Sequence, residues 1–365
     1  MQTKCQPPPA VRTYTGAHQM GTELTPLPLP AHAGRNLPAF AGRHPEDPSM
    51  QLRPLGRSGL MIPPIVFGAN VFGWTADRDT SFRLLDALRD AGFTAIDTAD
   101  RYSAWVPGHQ GGESEAVIGE WLAARPGARA GVTIATKVGM EMGSGDKGLS
   151  RAWILRAADA SLKRLQTDRI DFYQAHIDDP TVPLEETLGA FQSLIEAGKV
   201  RAIGASNYTA QRLAEALAVS ARENLPRFEA LQPLYNLMER PAFEADLEAV
   251  CRENGLGVIP YYALAAGFLS GKYRSEADLG QSPRGGGVKK YLTEKGDRVL
   301  AALDKAAAKL GATQAQVAVA WMIAKPAITA PIASASRIEQ LGPLLKAAEL
   351  VLPAETMAAL DAASA

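Results

Sequence analysis

Four side chains that can transfer a proton lie at or beside the ends of three successive apolar runs. Asp97 ends the first run, Lys137 the second and His176 the third, and Tyr102 follows shortly after the first run. An ionisable group that ends an apolar strand is costly to bury unless it is paired. Neighbouring strands of a sheet lie about 4.8 Å apart. If the three runs are adjacent strands, we therefore expect the four side chains to converge.

This combination of residues suits proton transfer to a carbonyl oxygen. Hydride addition to a carbonyl produces an alkoxide that must be protonated, and a free tyrosine, with a pKa of about 10, is a poor acid at neutral pH. We expect Lys137 to lower the pKa of the Tyr102 phenol. Asp97 would pair with Lys137 and hold it charged, and His176 would donate to the carbonyl oxygen or orient toward it. The same set run backwards oxidises an alcohol.

Each of the four residues also has a structural interpretation. An Asp at a strand end can cap a helix, and a Lys there can extend its ammonium group to water. A Tyr in a loop often only packs, and a buried His is often held by hydrogen bonds without catalysing anything. Four roles of one mechanism on three successive strand ends favour catalysis over these single interpretations.

Short apolar runs alternate with helix-periodic stretches along most of the chain. In the helical stretches, apolar residues recur every three or four positions, as one buried face requires. Gly92, Gly198 and Gly255 stop three of these stretches. The predicted strands are Ile65–Gly68, Thr94–Asp97, Val132–Lys137, Ile170–His176, Val200–Ser206, Glu229–Gln232, Gly257–Tyr262 and Ile328–Ala333. The clearest predicted helices are Asp79–Ala91, Arg151–Leu165, Leu184–Ala197, Phe243–Asn254, Val299–Leu310 and Ile338–Leu350.

Strand and helix alternating about eight times predict a parallel sheet with helices outside it. An eight-stranded barrel and an open doubly wound sheet are the two possible closures. An open dinucleotide-binding sheet should carry Gly-x-Gly-x-x-Gly after its first strand, and the stretch from Gly68 to Gly73 lacks that spacing. We therefore predict an α/β fold, a (β/α)8 TIM barrel, preceded by a β-hairpin over Leu52–Met61. Function in such a barrel lies at the carboxyl ends of the strands.

Composition limits the classes of protein and of partner. The 365 residues carry 38 basic and 39 acidic side chains, for a net charge of -1, so no overall field attracts nucleic acid or an anionic membrane. Two cysteines imply neither a disulfide framework nor a zinc cluster, and we predict no metal site. A cytoplasmic location is consistent with this composition. Residues 1–49 are proline-rich and without periodicity, so we expect a disordered extension ahead of one barrel domain over residues 50–365.

From about Leu52 to the C-terminus, the chain resembles the aldo-keto reductase family. The resemblance is carried by the Gly-Phe-x-x-Ile-Asp-Thr-Ala-x-x-Tyr stretch that begins at Gly92, by Ala-Thr-Lys ending at Lys137, and by Tyr-Gln-Ala-His ending at His176. It implies a catalytic tetrad of Asp97, Tyr102, Lys137 and His176. It also implies a carbonyl reductase or alcohol dehydrogenase that uses NAD(P)H.

The same resemblance implies a nicotinamide nucleotide site on the later strands. Ser206, Asn207 and Gln232 would bond the nicotinamide carboxamide, and Tyr261 would stack on the ring. The loop that contains Gly267 would close over the pyrophosphate, and residues 274–292 look like a flexible cover. Arg337, before the last predicted helix, suits a 2′-phosphate, which favours NADP(H) over NAD(H). The full set implied is Gly68, Asn70, Ser206, Asn207, Gln232, Tyr261, Leu264, Gly267, Lys272, Ser334, Arg337 and Gln340.

The substrate is expected to be a small carbonyl or alcohol, with Phe72, Trp74 and Trp105 as candidate walls of its pocket. A second hypothesis is a regulatory subunit, because potassium-channel β subunits resemble the same family and retain the nucleotide site. A third, an open-sheet dehydrogenase, is disfavoured by the missing glycine fingerprint.

Overall fold

A two-stranded hairpin and a sheet of eight parallel strands form the framework of the computed structural model, which describes residues 51–365. The hairpin pairs β1 with β2 in antiparallel register, and the eight strands follow the order β10-β3-β4-β5-β6-β7-β8-β9. The strands are β1 (Arg53–Pro54), β2 (Met61–Ile62), β3 (Val66–Gly68), β4 (Ala95–Asp97), β5 (Thr133–Val138), β6 (Ile170–Ala175), β7 (Val200–Ser206), β8 (Phe228–Gln232), β9 (Gly257–Val258) and β10 (Ile332–Ala333).

Backbone hydrogen bonds close the sheet between its first and last members. The N–H of Ile332 donates to the carbonyl of Pro260 at 2.8 Å, and that of Thr329 donates to the carbonyl of Val258 at 2.8 Å. On its other side β10 pairs with β3. The predicted (β/α)8 barrel is therefore confirmed. The strands are shorter than most of the predicted runs, because only a few residues of each run stay in register with both neighbours.

Helices surround the barrel and account for the helix-periodic stretches. Their ends follow local signals: the Asp77 side chain caps α1 by accepting from the Thr80 N–H, and Gly92, Gly198 and Gly255 have positive φ at the predicted stops. The helices are α1 (Arg78–Asp90), α2 (Glu113–Ala124), α3 (Arg151–Leu165), α4 (Leu184–Glu196), α5 (Ala210–Glu223), α6 (Pro241–Glu244), α7 (Leu247–Asn254), α8 (Glu294–Leu310), α9 (Gln314–Ile323), α10 (Ile338–Lys346) and α11 (Ala354–Ala363). The stretch predicted as one helix over Phe243–Asn254 is instead two, α6 and α7, because Asp246 leaves the helical backbone between them.

The apolar core has two layers. The larger lies between the strands and the helices, and the smaller fills the barrel. Nearly every strand contributes one side chain to the inner layer, and most of these are small. The inner layer from strands β3 to β10 consists of Val66, Ala95, Ala135, Phe172, Ala202, Ala230, Ile259 just after β9, and Ile332.

The N-terminal hairpin closes the end of the barrel at which the strands begin. Leu55, Leu60 and Ile62 belong to the same apolar cluster as the barrel interior. At Gly56 a Cβ atom would lie 2.0 Å from the carbonyl oxygen of Glu229, near the start of β8, so only glycine permits this approach. The opposite end, where the strands finish, is left for the site.

The expectation of a disordered extension over residues 1–49 lies outside the described residues. Among residues 51–365, none of the helices combines the length and hydropathy of a membrane span.

Candidate active site

Strand alternation positions the polar side chains directly above the inner apolar layer. Side chains two residues apart on a strand point to the same face. Asp97 follows Ala95 by two residues on β4, and Lys137 follows Ala135 by two on β5. The same spacing separates the inner-layer residues of β6 and β8, and Ile259 just after β9, from Gln174, Gln232 and Tyr261.

The structure brings Asp97, Tyr102, Lys137 and His176 together at the carboxyl end of the barrel. The Lys137 ammonium lies 2.6 Å from Asp97 Oδ2 and donates to the Tyr102 hydroxyl at 2.9 Å. The Tyr102 hydroxyl donates to Asp97 Oδ2 at 3.3 Å, and its ring centroid lies 5.9 Å from that of His176. Asp97 and Lys137 are fully buried, so their charges compensate each other away from water.

The phenol of Tyr102 differs from the sequence-based expectation in its acidity. Burial and the Asp97 carboxylate hold the pKa of Tyr102 well above its ordinary value. Lys137 touches the phenol, but burial also lowers the pKa of its ammonium, and most of its charge is opposed by Asp97. The expected lowering of the Tyr102 pKa is therefore wrong, because burial and Asp97 outweigh the contact with Lys137. Tyr102 carries its proton at neutral pH, which is the form an acid needs.

His176 is an uncharged imidazole at neutral pH. Burial, with Lys137 and Arg101 nearby, lowers its pKa well below the ordinary value. Its Nδ1 atom is buried and has no hydrogen-bond partner among the described residues. A neutral imidazole still donates one N–H, so His176 can bond a carbonyl oxygen without holding a charge beside Lys137.

An amide pair joins the Asp97 carboxylate to the predicted cofactor site. Gln232 Nε2 donates to Asp97 Oδ1 at 2.9 Å and to Gln174 Oε1 at 3.1 Å, and Gln174 Nε2 donates to Asp97 Oδ1 at 3.3 Å. Sequence reasoning did not single out Gln174. The signal was available, because Gln174 lies two residues before His176 on β6 and so faces the same side of the sheet.

The residues predicted to hold the nicotinamide form one hydrogen-bonded group. Ser206 Oγ donates to the Gln232 carbonyl at 2.9 Å, and Asn207 Nδ2 donates to Ser206 Oγ at 3.0 Å. The Tyr261 hydroxyl donates to Asn207 Oδ1 at 2.7 Å. Tyr262 has a positive φ and is 54% exposed, so Tyr261 is the tyrosine that belongs to this group.

The predicted adenine end lies where β3 and β10 pair. Ser334 Oγ donates to Asn70 Oδ1 at 2.9 Å, and a Cβ on Gly68 would lie 2.6 Å from the Ser334 Oγ. Gln340 Oε1 accepts from the Ser336 N–H at 2.9 Å. Arg337 immediately precedes α10 and is exposed, and its guanidinium has no hydrogen bond or ion pair within residues 51–365.

The loop after β9 contains the residues predicted to lie over the pyrophosphate. Leu264 is partly buried, Gly267 has φ +99°, and the Lys272 ammonium lies 5.0 Å from the centre of the Tyr273 ring. The predicted flexible cover contains two helical turns, Glu276–Gln281 and Gly285–Tyr291.

Arg284, in that cover, was not identified from the sequence. Its guanidinium lies 5.2 Å from the Trp74 ring centre, and its Nη2 is buried without a partner among the described residues. Burial lowers the pKa of Arg284. Its position in a glycine-rich segment gave no sequence signal that it reaches Trp74.

Two of the three candidate substrate residues lie at the mouth of the site. The Trp74 and Trp105 rings meet edge to face with centroids 5.6 Å apart, and Trp105 lies 6.0 Å from the Tyr102 ring. Trp105 is 40% exposed. Phe72 does not reach the mouth: it is fully buried and packs on Phe67, so the expectation that it forms a pocket wall is corrected.

Comparison with known proteins identifies the family. The model of the aldo/keto reductase family matches residues 64–365. The chain belongs to the aldo/keto reductase family. This aldo/keto reductase is 35% identical over 319 residues to the uncharacterised oxidoreductase YrpG of Bacillus subtilis. The aligned region covers 86% of this chain and 95% of that protein.

Two further relatives of this aldo/keto reductase carry more specific names. The L-glyceraldehyde 3-phosphate reductase of Escherichia coli O157:H7 is 31% identical over 323 residues, or 86% of this chain and 92% of that protein. A probable voltage-gated potassium channel subunit beta of Arabidopsis thaliana is 32% identical over 319 residues, which are 86% of this chain and 95% of that protein. The family and its named reductases make this chain an oxidoreductase of the type that uses a nicotinamide cofactor.

Proposed function

We propose that this aldo/keto reductase is an NADP(H)-dependent enzyme that reduces an aldehyde or ketone, or oxidises the corresponding alcohol, with Tyr102 as the general acid or base. The contact of Lys137 with both Asp97, at 2.6 Å, and the Tyr102 hydroxyl, at 2.9 Å, is the observation that carries the proposal. In that position the Lys137 ammonium stabilises any negative charge that the Tyr102 oxygen gains when it gives up its proton.

The protein side of the mechanism follows from these contacts. The nicotinamide, when bound, supplies or accepts the hydride. Tyr102 donates its proton to the oxygen that gains charge, and the Lys137 N–H stabilises the phenolate left behind. Asp97 keeps Lys137 charged and in place. The neutral His176 donates a hydrogen bond to the same substrate oxygen, with the aromatic wall of Trp74 and Trp105 beside it.

The residues of the predicted nucleotide site suit a nicotinamide carboxamide. Gln232 Nε2 is committed to Asp97 and Gln174, which leaves the side-chain oxygen Oε1 of Gln232 available to accept from an amide N–H. Asn207 Oδ1 accepts from Tyr261 and has a second lone pair available. Lys272 and Arg284 add positive charge for a pyrophosphate, and Arg337 adds a free guanidinium for a 2′-phosphate.

Replacing Tyr102 by Phe tests the proposal. Tyr102→Phe should lower turnover of a good carbonyl substrate by roughly 10²–10⁴-fold, the usual contribution of general acid catalysis. NADPH affinity, measured by quenching of protein fluorescence, should barely change, because other residues hold the nucleotide. Tyr208→Phe is the matched control: Tyr208 is buried and its hydroxyl has no partner within residues 51–365. Near-normal turnover in Tyr102→Phe would refute the assignment.

A screen of carbonyl compounds as substrates tests the alternative of a regulatory subunit, which the channel-subunit relatives motivate. Aldehydes, quinones, keto-sugars and L-glyceraldehyde 3-phosphate, the compound in the name of the E. coli relative, should be offered with NADPH. A nucleotide that binds tightly while no carbonyl compound is turned over would favour the regulatory role.

A further inference from the structure

The proposed mechanism leaves one buried acid beside the catalytic group without a role. Asp100 follows Asp97 by three residues, and its side chain is 1% exposed. Among the described residues, neither carboxyl oxygen of Asp100 accepts a well-formed hydrogen bond; the backbone N–H of Arg101 approaches the carboxyl group but lies outside hydrogen-bond geometry. A structural or capping aspartate would accept at least one hydrogen bond.

The charges around Asp100 leave it no counter-ion. The charged groups that face it are Glu115 of α2, Arg164 of α3 and Lys137 of β5, and the Tyr173 hydroxyl of β6 lies near it. Arg164 Nε pairs with Glu115 Oε2 at 2.6 Å. Lys137 pairs with Asp97. Both nearby cations are therefore committed to other carboxylates.

An ionised Asp100 would be a third anion beside two cations, in a place that water does not reach. Moving an unpaired carboxylate out of water is so costly that such a group takes up a proton instead. Burial and the Glu115 carboxylate raise the pKa of Asp100 well above its ordinary value, which agrees with the count of charges. The Tyr173 hydroxyl is also buried without a partner, so this pocket holds polar groups that carry no charge.

We propose that Asp100 is an uncharged carboxylic acid in the folded enzyme and acts as a positioning residue for Lys137. While Asp100 keeps its proton, Asp97 is the one anion paired with the Lys137 ammonium, and that ammonium remains available to the Tyr102 oxygen. Ionisation of Asp100 would draw Lys137 toward a second anion and oppose phenolate formation at Tyr102. The bound proton follows from the charge balance alone, whereas its effect on turnover rests on the proposed function.

The first measurement concerns the proton and does not need activity. The infrared spectrum of the folded enzyme at about pH 7 should contain a protonated-carboxyl C=O band that is absent from Asp100→Asn. Asp171→Asn is the matched control: Asp171 is equally buried but paired with Arg129. That variant should retain the band.

The second measurement is thermal stability against pH. Asp100 has a higher pKa folded than unfolded, so its contribution to stability is fully present below the unfolded value of about 3.9 and is lost as the pH rises through the folded value. Relative to wild type, Asp100→Asn should therefore gain melting temperature between about pH 5 and pH 8. One pKa unit corresponds to a gain of about 2 °C in a protein of this size. Comparison with wild type at each pH cancels the titration of other groups, including His176.

Asp171→Asn should lose melting temperature at both pH values, because it leaves Arg129 unpaired. The proposal is overturned if wild type lacks the band, or if Asp100→Asn loses as much stability at about pH 8 as Asp171→Asn does. If Asp100→Asn does not fold, Asp100→Leu takes its place. Failure of both neutral variants to fold at about pH 7 would also count against an uncharged Asp100.

The third measurement tests whether the uncharged Asp100 positions Lys137 or is only accommodated beside it. At about pH 7, Asp100→Asn should keep kcat and KM within about twofold of wild type, because the amide imitates the protonated acid. At higher pH, the alkaline fall of the reductase rate should move to a higher pH in Asp100→Asn. An unmoved alkaline limb, with the infrared band present, would leave the bound proton established and overturn its role through Lys137.

Discussion

At the scale of single residues, the Lys137 ammonium is the most constrained group of the site. Its three N–H groups donate to Asp97 Oδ2, to the Thr98 carbonyl at 2.8 Å and to the Tyr102 hydroxyl. All its donors are thereby used, and the side chain is fully buried. Lys137 thus fixes the geometry of the site as well as its charge.

Because Lys137 supports both the fold and the reaction, replacing Lys137 should have a different effect from replacing Tyr102. Lys137→Met should abolish turnover and also destabilise the fold by about 3–5 kcal/mol, the usual cost of leaving one buried charge unpaired. Tyr102→Phe should lose turnover with little loss of stability, because Asp97 and Lys137 remain paired. Thermal melts of the two variants at one pH test this difference. Equal melting temperatures would show that the buried pair contributes no stability.

Arg337 is the residue on which the proposed preference for NADPH depends. Arg337→Ala removes a charge-assisted hydrogen bond, so NADPH affinity should fall by about ten- to a hundredfold while NADH affinity hardly changes. Arg222→Ala, an exposed arginine at the end of α5, is the control and should affect neither cofactor. Equal losses for the two cofactors would contradict a role of Arg337 in reading the 2′-phosphate.

Residue type and strand position were enough to predict which side chains meet. Asp97, Lys137 and His176 were found because each ends an apolar run. The environment was not readable in the same way: the pKa of Tyr102 was expected to fall and instead rises, since burial is a property of the whole site. Arg284 was missed because its contact with Trp74 joins segments far apart in the sequence.

At the scale of the elements, β7 has a glycine where its neighbours have side chains. Phe172 is the largest side chain of the inner layer, and a Cβ on Gly204 would lie 2.3 Å from its Cζ atom and 3.0 Å from the Ala230 carbonyl oxygen. The Ala230 carbonyl oxygen can move only together with β8. An added methyl group must therefore displace the Phe172 ring or shift the whole strand.

Gly204→Ala should therefore cost about 1–3 kcal/mol of stability, the usual range for overpacking a core. It should also weaken NADPH binding, because Ser206 and Asn207 follow directly on the same strand. Gly189→Ala on α4 is the control: its Cβ meets nothing within 4 Å, and alanine favours a helix. Melting temperatures and NADPH titrations of both variants test these two expected losses. A Gly204→Ala protein as stable as the control would mean that the inner layer has room.

The elements were predictable to the extent that they repeat a period. The apolar runs identified all eight barrel strands, and the three-to-four spacing identified most of the long helices, although α2 and α5 were not given bounds. The turns over Glu276–Gln281 and Gly285–Tyr291 have no apolar period. They are held by distant partners such as Glu239, which accepts from Lys290 at 2.7 Å and Tyr291 at 2.9 Å. Such contacts cannot be read from local sequence.

At the scale of the whole molecule, the segment before β3 is part of the barrel domain even though the family match begins at residue 64. The hairpin adds Leu55, Leu60 and Ile62 to the inner core. Arg53 Nη1 donates to the carbonyls of Ile323 at 3.1 Å and Thr329 at 3.2 Å, which ties the hairpin to the end of α9 and the approach to β10.

Two shortened proteins test this division of the chain. A protein that begins at Met50 keeps the hairpin and loses only residues 1–49, which lack core-forming periodicity, so it should match the full chain in melting temperature and turnover. A protein that begins at Pro64 loses three buried apolar side chains, each worth about 1.5–3 kcal/mol, and should melt far lower or fail to fold. If it folds, its turnover at low temperature should persist, because the hairpin and the site lie at opposite ends of the barrel. Lost turnover in the Met50 protein would assign a function to residues 1–49, and full stability of the Pro64 protein would show that the hairpin does not support the barrel.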